Sequence, residues 1–176
     1  MDVQNITLIS FGYFEESFLK NIAEAVKQEL LFSVNIKEGR LDISEFYDPV
    51  RRQYNGTKLL KEVDSLYSSD SEKTLGLFSV DLFIPILTYI FGQAFLNGST
   101  GIASFYRLSN ERYGMNKNDR SIIDRFKKEV IHELGHAFGL IHCHNSTCVM
   151  RSSTYVEDID QKSANFCLKC RNELNK

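Results

Sequence analysis

At 176 residues, with 43% hydrophobic and 25% charged side chains, the chain has the size and make-up of one soluble globular domain able to bury a core without covalent staples. Its net charge of −2 gives no electrostatic reason to bind nucleic acid or an anionic membrane. The longest apolar run, 82 to 92, is too short to span a bilayer and contains Pro85, and the opening Met1-Asp2-Val3-Gln4-Asn5 lacks the basic-then-apolar character of a secretory signal, so a cytoplasmic protein is expected.

In chain order, residues 7 to 11 form a short β-branched, apolar run that predicts a first strand. Phe14, Phe18, Ile22, Val26 and Leu30 then recur every fourth residue and predict an amphipathic helix. Residues 32 to 36 read as a second strand, and 38 to 56 as an irregular stretch with turn signals at Asp48-Pro49 and Asn55-Gly56. Thr57 is placed to cap a second helix reaching Tyr67, with Leu59, Leu60, Val63 and Leu66 on its apolar side. Residues 75 to 80 read as a third, buried strand, followed by strands at 89 to 96 and 102 to 108 joined through the turn at 97 to 101. A long helix should begin between Asn116 and Ser121, show an apolar face of Ile123, Phe126, Val130, Leu134 and Phe138, and end at Gly139. Strands alternating with helices, then a hairpin, predict an α+β fold with a mixed, twisted sheet packed on helices.

The chemistry concentrates in the end of that helix. Residues 132 to 142 read His-Glu-Leu-Gly-His-Ala-Phe-Gly-Leu-Ile-His, and all four histidines of the chain fall between 132 and 144. His132 and His136, four apart, lie one turn apart on one helical face, with Glu133 between them in sequence. Gly139 can take the left-handed conformation that ends a helix and returns a third imidazole, His142, to the same metal. Three protein ligands leave a tetrahedral position open for water, as in a catalytic zinc site. Histidines merely hydrogen-bonded in a core would not call for Gly139 and His142 as well.

The four cysteines, Cys143, Cys148, Cys167 and Cys170, form Cys-x4-Cys followed by Cys-x-x-Cys. In a reducing cytosol this pattern suits a tetrahedral structural zinc held by four thiolates, with two disulfides or a redox pair as the alternatives.

These features together resemble the metzincin metallopeptidases and, within them, the archaemetzincins. The resemblance rests on the segment from His132-Glu133 to His142 with Cys143 directly after it, on Cys148-Val149-Met150, and on Cys167-Leu168-Lys169-Cys170. Asp81-Leu82-Phe83, Phe91-Gly92-Gln93-Ala94 and Ser104-Phe105-Tyr106-Arg107 extend it over most of the chain, while the stretch from Met150 to Cys167 is one residue shorter than the family's usual spacing.

The resemblance implies one metallopeptidase domain over residues 1 to 176. An upper part of sheet and two helices would end near 139 with the active-site helix. A small part from 140 would carry the Met-turn at Met150, one more helix and the cysteine site. It also implies two zinc ions per chain, one catalytic on His132, His136 and His142 and one structural on the cysteines. A sheet-edge strand within 89 to 96 would line the cleft and pair with extended substrate. The expected activity is peptide-bond hydrolysis by a zinc-activated water, with Glu133 as general base. Met150 would form an apolar floor beneath the histidines, and Tyr155 reads as a packing residue rather than a second oxyanion donor.

The expected substrate is a peptide or unfolded polypeptide, and the protein is expected to act as a monomer, with no nucleic acid or membrane partner. A zinc-binding protein of this fold with little peptidase activity, recognising a peptide or a terminus, is the first alternative. A hydrolase of small amides is the second.

Overall fold

A computed structural model of the chain describes residues 3–176. Its centre is a five-stranded sheet in the order β2-β1-β5-β9-β8. Strand β1 (Asn5–Phe11) leads through helix α1 (Glu16–Leu30) to β2 (Ser33–Gly39), which pairs parallel with it. The next segment holds two short antiparallel strands, β3 (Tyr47–Asp48) and β4 (Gln53–Asn55), before α2 (Gly56–Tyr67). Strand β5 (Glu72–Phe78) returns to the sheet parallel to β1. Strands β6 (Leu82–Ile84) and β7 (Leu87–Ile90) complete a second, four-stranded sheet in the order β3-β4-β6-β7. The chain re-enters the main sheet with β8 (Gly92–Ala94), antiparallel to β9 (Thr100–Ser104), which is itself parallel to β5.

Period-two alternation along the strands separates two cores. Ile6, Leu8, Leu75, Leu77 and Ala103 face one side with α1 and α3 (Asp119–Ala137), while Ile9, Phe11, Phe78 and Ile102 face the other with Leu59, Leu60 and Val63 of α2. The predicted apolar positions Phe126, Val130 and Leu134 of α3 are all fully buried. The polar face of α3 is buried as well: Arg125, Lys128, Glu129, His132 and Glu133 are each at most 5% exposed. Burial on both faces of its C-terminal half fixes the side chains of this helix, which suits a site built on it.

After α3 the chain forms two short helices, α4 (Val156–Gln161) and α5 (Leu168–Leu174), where one was expected. Each is only six or seven residues long and so gives little periodic signal. Three buried or half-buried cationic contacts dock this segment on the rest of the molecule. Arg125 forks onto Asp160 at 2.7 and 2.8 Å. Lys162 Nζ donates to the Arg151 carbonyl at 3.1 Å and lies 3.2 Å from Glu129 Oε1, close enough to pair charges but out of line for a hydrogen bond. Glu29, at the end of α1, accepts from the Phe166 N–H at 2.8 Å and from Asn165 Nδ2 at 2.7 Å, and it pairs with Arg171.

Other expectations are corrected locally. The cap of α2 is Asn55, whose side chain accepts from the Lys58 N–H at 3.1 Å, not Thr57, and Leu66 is 56% exposed. The single strand expected at 89 to 96 is two, divided at Phe91 as the chain passes from one sheet to the other. The strand expected at 102 to 108 is β9, starting at Thr100 and giving way to a 3-10 turn at Tyr106–Leu108. No helix among the described residues is long and apolar enough to cross a membrane.

Candidate metal centres and cleft

Helix α3 is capped by Asn118, which accepts from the Ser121 N–H at 3.1 Å, and runs unbroken to Ala137. The chain then reverses at Gly139, whose φ of +98° is the left-handed conformation that side chains disfavour. The reversal carries His142 back over the helix end. The ring centroids of His132, His136 and His142 are 4.7, 5.3 and 4.9 Å apart, and one nitrogen from each ring lies within 4.8 Å of the others.

The two helical rings are fixed by their other nitrogens. His132 Nδ1 lies 2.8 Å from the Val149 carbonyl and His136 Nδ1 lies 2.7 Å from that of Leu140. A carbonyl only accepts, so Nδ1 carries the proton in each ring and Nε2 keeps its lone pair. The two Nε2 atoms converge to 3.1 Å. Burial is the first cause holding all three imidazoles below their usual range, which favours the neutral, ligating form. Two converging lone pairs with a third imidazole beside them fit zinc.

Glu133 is 5% exposed and its side chain lies against Gly92 of β8. A Cβ built at Gly92 would stand 2.7 Å from Glu133 Cγ and 2.7 Å from the Ile102 carbonyl oxygen, so only glycine lets the strand come this close to the helix. Burial, and then the neighbouring Glu129 carboxylate, raise the proton affinity of Glu133 well above the usual carboxylate range, partly opposed by Lys162. Met150 is fully buried, and its sulfur lies so near Gly135 that any Cβ there would collide with it.

Glu129, His132, Glu133 and His136 share one helical face and line a cleft of about 700 Å³. Strands β7 and β8 supply one wall, and residues 152 to 155 together with Ile141 and His142 supply the other. Tyr155, read from the sequence as a packing residue, lines this cleft and is 61% exposed. Strand β8 ends the main sheet, within the residues 89 to 96 named as the edge-strand candidate. Sequence reasoning missed Gly92, Gly135, Glu129 and Lys162. Gly135 stands inside the histidine motif and Gly92 inside a segment that carries the resemblance, whereas Glu129 and Lys162 had no local signal.

The four cysteines also converge, with sulfurs within 4.8 Å of one another. Cys143 faces Cys167 and Cys148 faces Cys170, each at 3.8 Å, and all four are free thiols. Backbone N–H groups point at this cluster: Cys167 N–H to Cys148 Sγ at 3.3 Å and Asn145 N–H to Cys143 Sγ at 3.5 Å. The Cys170 N–H is the first cause that draws the Cys167 thiol down to about 7, while burial pushes Cys148 and Cys170 up. Thiols crowded this way, with amides stabilising charge and burial opposing it, fit a divalent cation that supplies the missing positive charge. The Cys143 N–H also donates to the Met150 carbonyl at 2.9 Å, so one loop carries cysteine ligands and the floor residue together.

A model described as peptidase family M54 matches residues 13–176. The chain is 37% identical over 177 residues to the archaemetzincin of Thermococcus kodakarensis, covering 96% of this chain and 94% of that one. It is 39% identical over 172 residues to the archaemetzincin of Haloquadratum walsbyi, covering 96% and 98%. Among solved structures, a zinc-dependent peptidase from Methanocorpusculum labreanum superposes with a TM-score of 0.87 at 30% identity, covering 97% of this chain and 100% of that one. The archaemetzincin of Methanopyrus kandleri gives 0.85 at 33% identity, covering 98% and 94%.

Proposed function

The chain belongs to peptidase family M54, the archaemetzincins, and is a zinc metallopeptidase; on that premise we propose that Glu133 is its general base and that His132, His136 and His142 hold the catalytic zinc. When bound there, zinc supplies Lewis acidity for the attacking water and the scissile carbonyl. Glu133 takes the proton of that water and delivers it to the leaving amine. The Val149 and Leu140 carbonyls keep His132 and His136 in the tautomer that presents Nε2. Met150 packs beneath the helix at Gly135 as an apolar floor. The four cysteines hold a second, structural zinc.

The free edge of β8 beside Glu133 supports an extended peptide or unfolded segment as substrate, added to the sheet through its main chain. The free thiols suit a reducing cytoplasm. The observation that carries the reading is the burial of Glu133 beside three imidazoles whose lone pairs converge at the base of an open cleft.

The test is metal analysis followed by cleavage of a diverse peptide library by wild type and by Glu133→Ala. We expect two zinc ions per chain in both, with kcat/KM lower by about 10²- to 10⁴-fold in the variant. A zinc-loaded wild type that cleaves no peptide would overturn hydrolysis and leave recognition of a peptide or terminus in its place.

A further inference from the structure

Four exposed large apolar side chains meet at this one cleft although they come from four separate segments. Leu87 lies in the β6–β7 hairpin, Leu96 follows β8, Ile141 follows α3, and Tyr155 precedes α4. They are 49%, 57%, 67% and 61% exposed. No lysine or arginine lines the cleft among the described residues; its ionisable groups are Glu129, Glu133 and the three histidines. Apolar side chains left in water where a catalytic site opens mark surface meant to be covered.

The four fall into two pairs on opposite sides of Glu133. Strand β8 runs beside α3: Gly92 abuts Glu133, and further on the Asn97 N–H donates to the His136 carbonyl at 2.9 Å. The Asn97 side chain stands over Gly139, where an added Cβ would come within 3.4 Å of its Oδ1, so Leu96 and Ile141 belong to the end of the cleft beyond His136. In the other direction the Tyr89 hydroxyl donates to the Thr154 carbonyl at 2.8 Å, which joins the strand carrying Leu87 to the segment carrying Tyr155. Arg107, just past the C-terminal end of β9, stacks on Tyr89 at 4.3 Å. Because β9 runs antiparallel to β8, this second pair lies at the opposite end of the cleft. Arg51 fixes the hairpin from outside, donating to the Leu87 and Pro85 carbonyls at 3.0 and 3.2 Å and stacking on Phe83 at 4.4 Å. The patch is therefore preformed.

We infer that the substrates are peptides with large apolar side chains on both sides of the scissile bond, received by Leu96 and Ile141 on one side and by Leu87 and Tyr155 on the other. This rests on the reading of the cleft as the catalytic site. An acidic side chain at either position would meet an apolar wall, near two carboxylates and with no lysine or arginine lining the cleft to pair with, and it is rejected. A basic one would lose hydration against the same walls.

The test uses the zinc-loaded protein and a peptide library randomised around one bond, with cleavage sites read by mass spectrometry. Bonds flanked on both sides by Leu, Ile, Phe, Met or Tyr should be cut at least about tenfold faster than bonds flanked by charged residues. Leu87→Ser and Leu96→Ser, both at exposed positions, should each lower kcat/KM for the best apolar peptide about tenfold. Each should relax the preference on one side only, and on different sides, a pattern that general destabilisation cannot produce. Cleavage indifferent to flanking side chains, or both variants relaxing the same side, overturns this inference while leaving the peptidase reading intact. A library with no cleavage at all overturns both.

Discussion

The histidine cluster and the cysteine cluster lie next to each other along the chain, His142 and Cys143 being neighbours, yet they are built for opposite ends. The histidines bring three donors to the base of a cleft, and His142 is itself exposed. The cysteines bring four donors, two of them buried, and none of the four lines the cleft on which the histidines sit. Three ligands at an open site leave room for reaction; four close a site and commit it to structure. The helix ligands show the same division. His132 and His136 ride on the buried C-terminal half of a 19-residue helix, whereas Cys167 and Cys170 start a helix of seven residues that could not stand alone. The difference teaches that the small C-terminal segment, lacking a sheet, takes its order from a metal and from charged contacts, while the catalytic end takes its order from the core.

The sharpest way to break that contrast is to remove the closed site. Cys167→Ser with Cys170→Ser should lower zinc content from two to one per chain. Structural zinc in small domains contributes roughly 10–16 kcal/mol of apparent binding free energy, so even partial loss should cost about 5 kcal/mol and at least roughly 10 °C in Tm. Unchanged zinc content and Tm would show that the cysteines hold nothing.

The next largest effect concerns Lys162, whose side chain is fully buried against the 4%-exposed side chain of Glu129. Lys162→Met strands that carboxylate, at a cost of about 3–5 kcal/mol in urea unfolding of the zinc-loaded protein. Adding Glu129→Met removes the stranded charge and should recover most of the loss. A double variant no more stable than the single one would mean that the pair carries no electrostatic weight.

How much of this was legible follows from distance along the chain. The histidine motif, Gly139, the Cys-x-x-Cys pair and the apolar stripes of α1 and α3 obey periods of one turn or a fixed local spacing, and the structure brings those residues together as the spacing suggests. Glu29 with Arg171, Arg125 with Asp160 and Glu129 with Lys162 obey no local rule, because each partner is chosen by the way distant elements dock. Strands β3, β4, β6 and β8, of two or three residues each, are too short to show an alternation, so the second sheet was invisible and the division at Phe91 with it. Asn55-Gly56 was read as a turn when it is a cap followed by the first residue of a helix, two roles that draw on the same side-chain chemistry.

The smallest effect sharpens the comparison from the catalytic side, at a residue that has no side chain to act with. Gly92 belongs to the edge strand β8 and lies against the proposed base, so it joins the core that orders α3 to the chemistry proposed for it. In Gly92→Ala the new methyl would meet Glu133 Cγ and the Ile102 carbonyl oxygen, both at 2.7 Å. The carboxylate can swing aside, but the carbonyl is part of a paired strand and can yield only if β8 moves. Stability should therefore fall modestly, by about 1–3 kcal/mol. Displacing the base and the edge strand together should lower kcat/KM about 10²-fold, with both zinc ions retained because no ligand is touched. If the variant kept full activity, the close packing of Gly92 on Glu133 would not be what holds the base in register, and burial of α3 alone would have to account for it.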